Sequence, residues 1–563
     1  MSIILGINTH HNGSVALICD GKVKSAIQAE RISRVKRQPL PLERDIKLTA
    51  KCVHYCLDAA DFEYSDIEAI ALCTPQKLTK INDLDLFRYI GGIPKKYAET
   101  FYVPHHFSHM EYIAHYGNLE PGIILIIDGS GSLEEDRLFF NVREKYHSKV
   151  IDYIQFGGKE VISAYWFDGL TSSLIYRFSP SHHPNDEINK GTDLLQSIGQ
   201  YWEWASLYCC GSRNDAGKVM GLAAFGDVDQ MSEKTSLSIT DKCELNLNFI
   251  ELKKNFKDPN ILSLDLSNSK HHQNLALKVQ SETEDVILKL LGILKEKYPT
   301  DTLYYCGGVA LNVVANERIK SSNLFKNVVL NGSVEDNGTA IGAGLAASIQ
   351  LGYKRKSSVI TDYYGRKYSH EEIMEAVAEY NFSHKVLSDK ELFEHAADLI
   401  KKEKIFGWFQ GGSEFGPRAL GNRSILANPS SPTTKHILDH YMKCRDRYRP
   451  YAPVVIEEKA NQYFDINTSS PVMMRNVKVL DKGLVAITHF DETARIQTVN
   501  KKDNEILYLL LLEVEKKTGY PILLNTSFNL PGEPIVESPH DALSSFSRGA
   551  LDNLFLGNVL ISR

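Results

Sequence analysis

Twice in this chain a short apolar run breaks off in a polar, glycine-bearing turn, and no other feature restricts the fold as much. Ile3 to Ile7 runs into residues 8–13, after which Ser14 to Cys19 and Val23 to Gln28 resume strand character across Gly21. Residues 122–127, Gly-Ile-Ile-Leu-Ile-Ile, run in the same way into Asp128-Gly129-Ser130-Gly131. Runs that short and that apolar read as buried strands, and strand, turn, strand, turn, strand is a β-meander. Further apolar strands fall at Ile67 to Leu72, at Thr302 to Cys306 before Gly307-Gly308, and at Asn327 to Leu330 before Gly332 and Glu335-Asp336-Asn337-Gly338. Asp45–Ala60, Ala310–Arg318 and Thr339–Leu351 read as helices. Strands ending in Asp- or Gly-rich turns are how an open α/β sheet builds a nucleotide crevice.

With 563 residues the chain exceeds one core, so at least two domains are expected. The first spans residues 1–352, with a less regular insertion at about 160–272 that carries Trp166, Trp202 and Trp204. Residues 353–369, rich in Lys, Arg, Ser, Gly and Tyr, read as a linker. Residues 370–563 form the second domain, opening with helices at Glu371–Tyr380 and Glu391–Lys402. A net charge of -6 supplies no pull toward nucleic acid or anionic membrane. No apolar run is long enough for a membrane span, and the apolar N-terminus is too brief for a signal peptide. The nine cysteines form no CxxC pair, so reduced structural cysteines in a cytoplasmic protein are expected.

His105-His-Phe-Ser-His109 places two imidazoles four residues apart, on one face if a helix begins there. Asp128 and Asp336 each follow a buried strand, where a carboxylate points into a crevice and needs a partner. Two imidazoles with two carboxylates suit iron(II), manganese or another borderline divalent ion. The turns Gly129-Ser-Gly131, Gly307-Gly308 and Gly332 with Gly338 offer backbone N–H groups to phosphate. The second domain gathers cations among Gly, Pro and aromatic residues: Arg418, Arg423, Lys443, Arg445, Arg447, Arg449 and Arg495. Arginine forks match phosphate oxygens, so this set reads as a polyphosphate pocket in preference to a nucleic-acid surface. Asn525-Thr-Ser527 adds donors able to seat a nucleotide or a planar carbamoyl group.

These residues together resemble one family, the O-carbamoyltransferases of the nodulation-factor and cephamycin type (NodU/CmcH), over nearly the whole length. The motifs carrying the resemblance are residues 105–109, Ile127-Asp-Gly-Ser-Gly131, Gly217-Lys-Val-Met-Gly-Leu-Ala223, Gly307-Gly-Val-Ala-Leu-Asn312, Asp336-Asn-Gly338, Phe415-Gly-Pro-Arg-Ala-Leu-Gly421, Arg449-Pro-Tyr-Ala-Pro453 and Asn525-Thr-Ser-Phe-Asn529. The resemblance implies an α/β protein: an N-terminal actin-like ATPase domain, similar to threonylcarbamoyl transferases, and a C-terminal YrdC-like domain. It implies ATP and a divalent metal (Fe2+ foremost, Mn2+ or Mg2+ as substitutes), carbamoyl phosphate as donor, and a small-molecule hydroxyl as acceptor, with a homodimer left open. His105, His109, Asp128 and Asp336 would then be metal ligands, and Gly308 and Asn312 would seat the adenylate. Arg418, Lys443, Arg449 and Asn525 would bind ATP and carbamoyl phosphate, Lys443 and Arg449 acting in catalysis. Gly129, Gly131, Arg423, Arg445, Arg495 and Ser527 complete the expected nucleotide contacts, and His11, on the first polar turn, is the candidate base. Two departures stand out: Glu492 occupies a usual glycine position, and Asn214-Asp-Ala-Gly precedes Lys218 where the family carries a glutamate. The rival expectations are a tRNA-directed threonylcarbamoyl-type transferase and a non-enzymatic nucleotide-binding scaffold.

Overall fold

The computed structural model describes the chain apart from residues 1, 41–45, 74–82, 94–97, 134–139, 143, 146–157, 181–196, 231–233, 249–250, 252–268 and 447. The first sheet holds β1 (Ile3–Asn8), β2 (Ser14–Cys19), β3 (Lys22–Gln28), β4 (Ile67–Cys73) and β5 (Glu99–Val103), ordered β3-β2-β1-β4-β5. β1 pairs antiparallel with β2 and parallel with β4. A second sheet repeats the plan. Its meander is β6 (Gly122–Ile127), β7 (Ile162–Phe167) and β8 (Ser172–Phe178). After a small ribbon of β9 (Leu237–Ile239) and β10 (Leu245–Leu247), β11 (Thr302–Cys306) adds parallel to β6 and β12 (Asn327–Val329) parallel to β11. The order β8-β7-β6-β11-β12 thus matches the first sheet strand for strand, and this doubled unit is the actin-like ATPase architecture.

Every residue of β1, β2 and β6 is buried. Strands covered on both faces need no polar alternation, which is why they appear in the sequence as unbroken apolar runs. Each buried Ile or Leu contributes about 1.5–3 kcal/mol by leaving water. The covering helix, Gly338–Gln350, packs on β1 and on the helix His105–Ala114 at backbone contact. A Cβ on Gly6 would stand 2.0 Å from the Ala340 carbonyl oxygen, and one on Gly342 would stand 1.8 Å from that of Ser108.

Two organisational expectations need correction. β7 pairs with β6 and β8 pairs with β7, so residues 162–178 belong to the sheet and the inserted part begins after them. Portions of that insertion (181–196, 231–233, 249–250 and 252–268) lie outside the described residues, as does Asp45 at the expected start of the helix Ile46–Ala60. Two of the tryptophans pack: Trp166, in β7, stacks on Tyr298, and the Trp202 indole N–H donates to Thr283 Oγ1 at 2.9 Å. The segment 353–369 is also no solvated tether. Asp362 and Tyr364 are buried, and Tyr364 bonds Tyr116 through their hydroxyls at 2.8 Å while its carbonyl accepts the Ala26 N–H at 3.0 Å.

The C-terminal part is a nine-stranded mixed sheet with Ser383–Val386 at one edge and Arg475–Lys478 at the other. The helices Asp389–Lys401 and Glu505–Thr518 cover one face; His370–Ala378 and Pro539–Arg548 cover the opposite one. A short helix after β3, Ala29–Ser33, pins this part to the first sheet. Arg31, 1% exposed, donates to the Gly416 carbonyl at 2.7 Å, and Arg34 donates to the Ile535 and Pro534 carbonyls at 2.7 and 2.9 Å. No described helix is long and apolar enough to cross a membrane.

Candidate functional site

The helix His105–Ala114 begins at Pro104, and its first free N–H groups are taken by side chains. His105 N–H donates to Ser132 Oγ at 3.0 Å and His106 N–H to Glu160 Oε1 at 2.8 Å. Burial would raise the Glu160 carboxyl, but His106 and Arg177 more than offset it and bring it to about 2. So held, the helix turns His105 and His109 inward from successive turns, both fully buried. Asp128, just past β6, and Asp336, just before the helix Gly338–Gln350, meet them.

The four side chains converge. His105 Nε2 lies 3.0 Å from Asp128 Oδ2, 3.5 Å from Asp336 Oδ1 and 3.2 Å from His109 Nε2, and one donor atom from each of the four residues lies within 4.8 Å of the others. Two imidazole nitrogens at that separation, each facing carboxylate oxygens, need a positive charge between them. A divalent ion fits this donor set. Asp128 is aimed by its other oxygen, Oδ1, which accepts N–H groups from Gly129 at 2.7 Å and Gly308 at 3.3 Å and leaves Oδ2 for the imidazoles. Burial alone would raise its pKa, and His105 and His109 hold it well below the usual carboxylate range. The Asn8 carboxamide donates to the carbonyls of Asp336 at 2.9 Å and His11 at 3.1 Å, bringing the first polar turn to the centre. The His11 ring keeps solvent contact, yet desolvation by the crevice lowers its pKa, Asp336 opposing and Arg37 and His10 reinforcing.

A second feature lies where the two halves of the chain meet. A cavity of about 540 Å³ is lined by Arg418, Arg445, Arg449, Arg495, Asn525 and Ser527 on one side and by Gly217, Gly221, Gln280 and Glu284 on the other. The Nε atoms of Arg418, Arg445 and Arg495 and Oδ1 of Asn525 are buried and have no partner among the described residues. Burial, then the charge of Arg449 against an opposing Glu335, brings Arg418 down to about 10. Burial and Arg449 bring Arg445 to about 10 as well, and burial with Arg418, Arg445 and Arg449 lowers Arg495 well below its ordinary value. Crowded, desolvated guanidiniums that outweigh the acids around them form a site for a polyanion.

Several expected contacts are placed elsewhere. Arg423 is fully buried against the Phe409 ring, 3.6 Å from its centroid, and donates to the carbonyls of Gln410 and Glu537, so it braces the sheet and does not face the cavity. Asn312 caps the helix Val313–Ser321 through Ala315 N–H at 3.1 Å and pairs with Gln280, which occupies its carboxamide. The Gly131 N–H donates to the Glu160 carbonyl at 2.7 Å, and Gly129 and Gly308 serve Asp128, so these amides orient a carboxylate. Gly332 makes room for Asp362, whose Oδ2 would stand 1.9 Å from an added Cβ. The Lys443 ammonium lies against the Ser527 and Asn529 carbonyls at 2.5 and 3.0 Å. Burial first, then Arg445, Lys36 and Arg449, pushes it well below the ordinary lysine value. Arg447 lies outside the described residues. Lys36, in Arg34-Val-Lys-Arg37, and Glu160 were not foreseen. The basic run after the first meander was the available signal for Lys36; a lone glutamate before β7 offered none.

The chain matches two family models, "Carbamoyltransferase N-terminus" over residues 77–345 and "Carbamoyltransferase C-terminus" over residues 397–563. It is 30% identical to the nodulation protein NolNO of Sinorhizobium fredii, over 98% of this chain and 79% of that one. It is 33% identical to NolO of Bradyrhizobium diazoefficiens over 71% and 77%, respectively. With the 3'-hydroxymethylcephem-O-carbamoyltransferase of Streptomyces clavuligerus it shares 27% identity over 62% and 65%. Among solved structures, full-length HypF in its phosphate- and nucleotide-bound form aligns with a TM-score of 0.38 at 12% identity, over 62% of this chain and 56% of that chain.

Proposed function

Because the chain belongs to the O-carbamoyltransferases of the nodulation-factor and cephamycin type and is a transferase enzyme, we propose that it activates a carbamoyl group with ATP in its C-terminal domain and transfers it to a small-molecule hydroxyl at the four-residue centre. The C-terminal domain is read as YrdC-like, from Lys443-x-Arg445 and Arg449-Pro450 beside the cavity. In this reading carbamoyl phosphate and water give carbamate and phosphate, and the carbamate oxygen attacks the α-phosphate of ATP, releasing pyrophosphate and leaving carbamoyl adenylate. The observation that carries the reading is the arginine cavity, where the buried Nε groups of Arg418, Arg445 and Arg495 have no partner among the described residues.

Arg418, Arg445, Arg449 and Arg495 would offset repulsion between the triphosphate and the incoming carbamate and stabilise the departing pyrophosphate. Asn525 Oδ1, buried and unpartnered, suits a carbamoyl N–H. Lys443, held against the Ser527 and Asn529 carbonyls, would fix the loop that carries these groups. For the second step, a divalent ion held by His105, His109, Asp128 and Asp336 would supply Lewis-acid charge toward the phosphate of the adenylate. His11, near the centre with a lowered pKa and open to solvent, would take the proton of the acceptor hydroxyl. Natural-product or modified-sugar hydroxyls are the acceptor class we favour, with iron(II) as the ion and the cytoplasm as the compartment.

The test is to incubate the protein with ATP, carbamoyl phosphate and Fe2+ or Mn2+ and follow pyrophosphate and carbamoyl adenylate by mass spectrometry. Arg449→Ala is expected to lower adenylate formation by about 100-fold or more, while His11→Ala forms adenylate and fails only in transfer to acceptor. No adenylate from the wild-type protein, with ATP binding demonstrated, overturns the two-step reading.

A further inference from the structure

An imidazole that gives Nε2 to an ion carries its proton on Nδ1, and that outer N–H needs an acceptor to fix the tautomer and the ring plane. Carboxylates, backbone carbonyls or water are the usual acceptors. In this chain both outer nitrogens meet sulfur. His105 Nδ1 lies 3.7 Å from Cys73 Sγ, and His109 Nδ1 lies 3.5 Å from Cys306 Sγ. All four side chains are fully buried, and no oxygen acceptor is within hydrogen-bond distance of either Nδ1 among the described residues.

The placement is not haphazard. Cys73 is the last residue of β4 and Cys306 the last of β11, the fourth strands of the two matching sheets. The two halves of the doubled fold therefore present one thiol each to the histidine-bearing helix. Cys306 Sγ also lies 3.4 Å from the Val334 carbonyl oxygen, which accepts its S–H and leaves the sulfur lone pairs for His109.

We propose that Cys73 and Cys306 are positioning residues that hold His105 and His109 in the Nδ1–H tautomer, so that both Nε2 atoms face the metal ion. The assignment rests on the metal-centre reading above. Its chemical consequence differs from that of a carboxylate partner: neutral sulfur is a weak acceptor and draws little on the ring proton. The imidazoles remain neutral ligands, and the ion keeps more of its Lewis acidity.

Volume and acceptor capacity can be separated at these positions. Cys→Val keeps an apolar side chain of similar size without an acceptor; Cys→Ser keeps an acceptor and loses packing. The full-length protein, stripped with a chelator, would be titrated with Co2+ alone and followed by its visible absorption, with the melting temperature of the metal-free protein measured alongside. Cys73→Val and Cys306→Val are expected to weaken Co2+ binding by about 10–100-fold and to alter the absorption band, while the serine variants bind within a few-fold of wild type despite a lower melting temperature. Valine variants that bind Co2+ like wild type, or serine and valine variants weakened alike, overturn the thiol assignment and leave the metal centre standing. A wild-type protein with no stoichiometric band, indistinguishable from His105→Ala, removes the centre and the thiol roles together. Should Cys306→Val fail to fold, the Cys73 pair of variants carries the same comparison.

Discussion

Glu492 sits in left-handed backbone, at φ 61°, on the turn that carries His489 and Asp491 to the wall of the arginine cavity. A side chain with a Cβ costs roughly 1–2 kcal/mol in that conformation, and the exposed contact of Glu492 with Lys478 at 3.8 Å returns little. Glu492→Gly is therefore expected to raise the melting temperature by about 1–3 °C and leave adenylate formation unchanged; a lower melting temperature would show that the side chain supports the turn. The departure from glycine was visible in the residues, but its cost needed the backbone angle. The same division runs through the candidate metal centre. His105 and His109 are legible because four residues is a helical period, and Asp128 and Asp336 because a carboxylate after an apolar strand is a local pattern. Glu160, Cys73 and Cys306 act across 54, 32 and 197 residues of sequence, where no local period reports them.

At the scale of elements, the strap 353–369 turns on one carboxyl. Asp362 is buried among Ser333, Gly332 and Gly416, and its backbone carbonyl accepts the Phe415 N–H at 2.7 Å, so both halves of the chain touch it. Burial, aided by Glu414 and opposed by the Ser333 hydroxyl, raises it to about 8. An unfolded aspartate titrates near 4. Between about pH 4 and pH 8 the folded chain thus holds a proton that the unfolded chain has released, and stability falls as pH rises through this window, levelling above it. Asp362→Asn should flatten that slope: the melting temperature of the variant gains on wild type from pH 6 to pH 8. Parallel curves would mean that the carboxyl ionises without cost. Composition made this segment look like a solvated linker because Lys, Arg and Ser surround two buried residues, Asp362 and Tyr364. β1, β2 and β6 were legible for the opposite reason, since strands buried on both faces show as almost unbroken apolar runs. β7 and β8 escaped because Arg177, Ser163 and Ser172 interrupt the apolar pattern.

On the scale of the whole molecule, the bonds between the N- and C-terminal domains include those of buried Arg31 and part-buried Arg34, the Tyr55 hydroxyl on Glu537 and the Glu317–Arg475 pair. Arg31→Ala removes a buried guanidinium from the Gly416 carbonyl and should lower the main calorimetric transition by several degrees and split it in two; a single unshifted transition would show that the domains hold together without it. This junction also forms the cavity walls, so the two domains must keep their relation for the proposed first step to work. The halves of the N-terminal domain are joined differently. Gly6 meets the backbone at Ala340, and Gly342 meets that at Ser108, with no side chain between. Side chains act as springs, able to change rotamer as surfaces slide; bare backbone has no such compliance. The doubled sheets therefore resist sliding past one another where they frame the histidines and aspartates, as a casting would and a sprung joint would not.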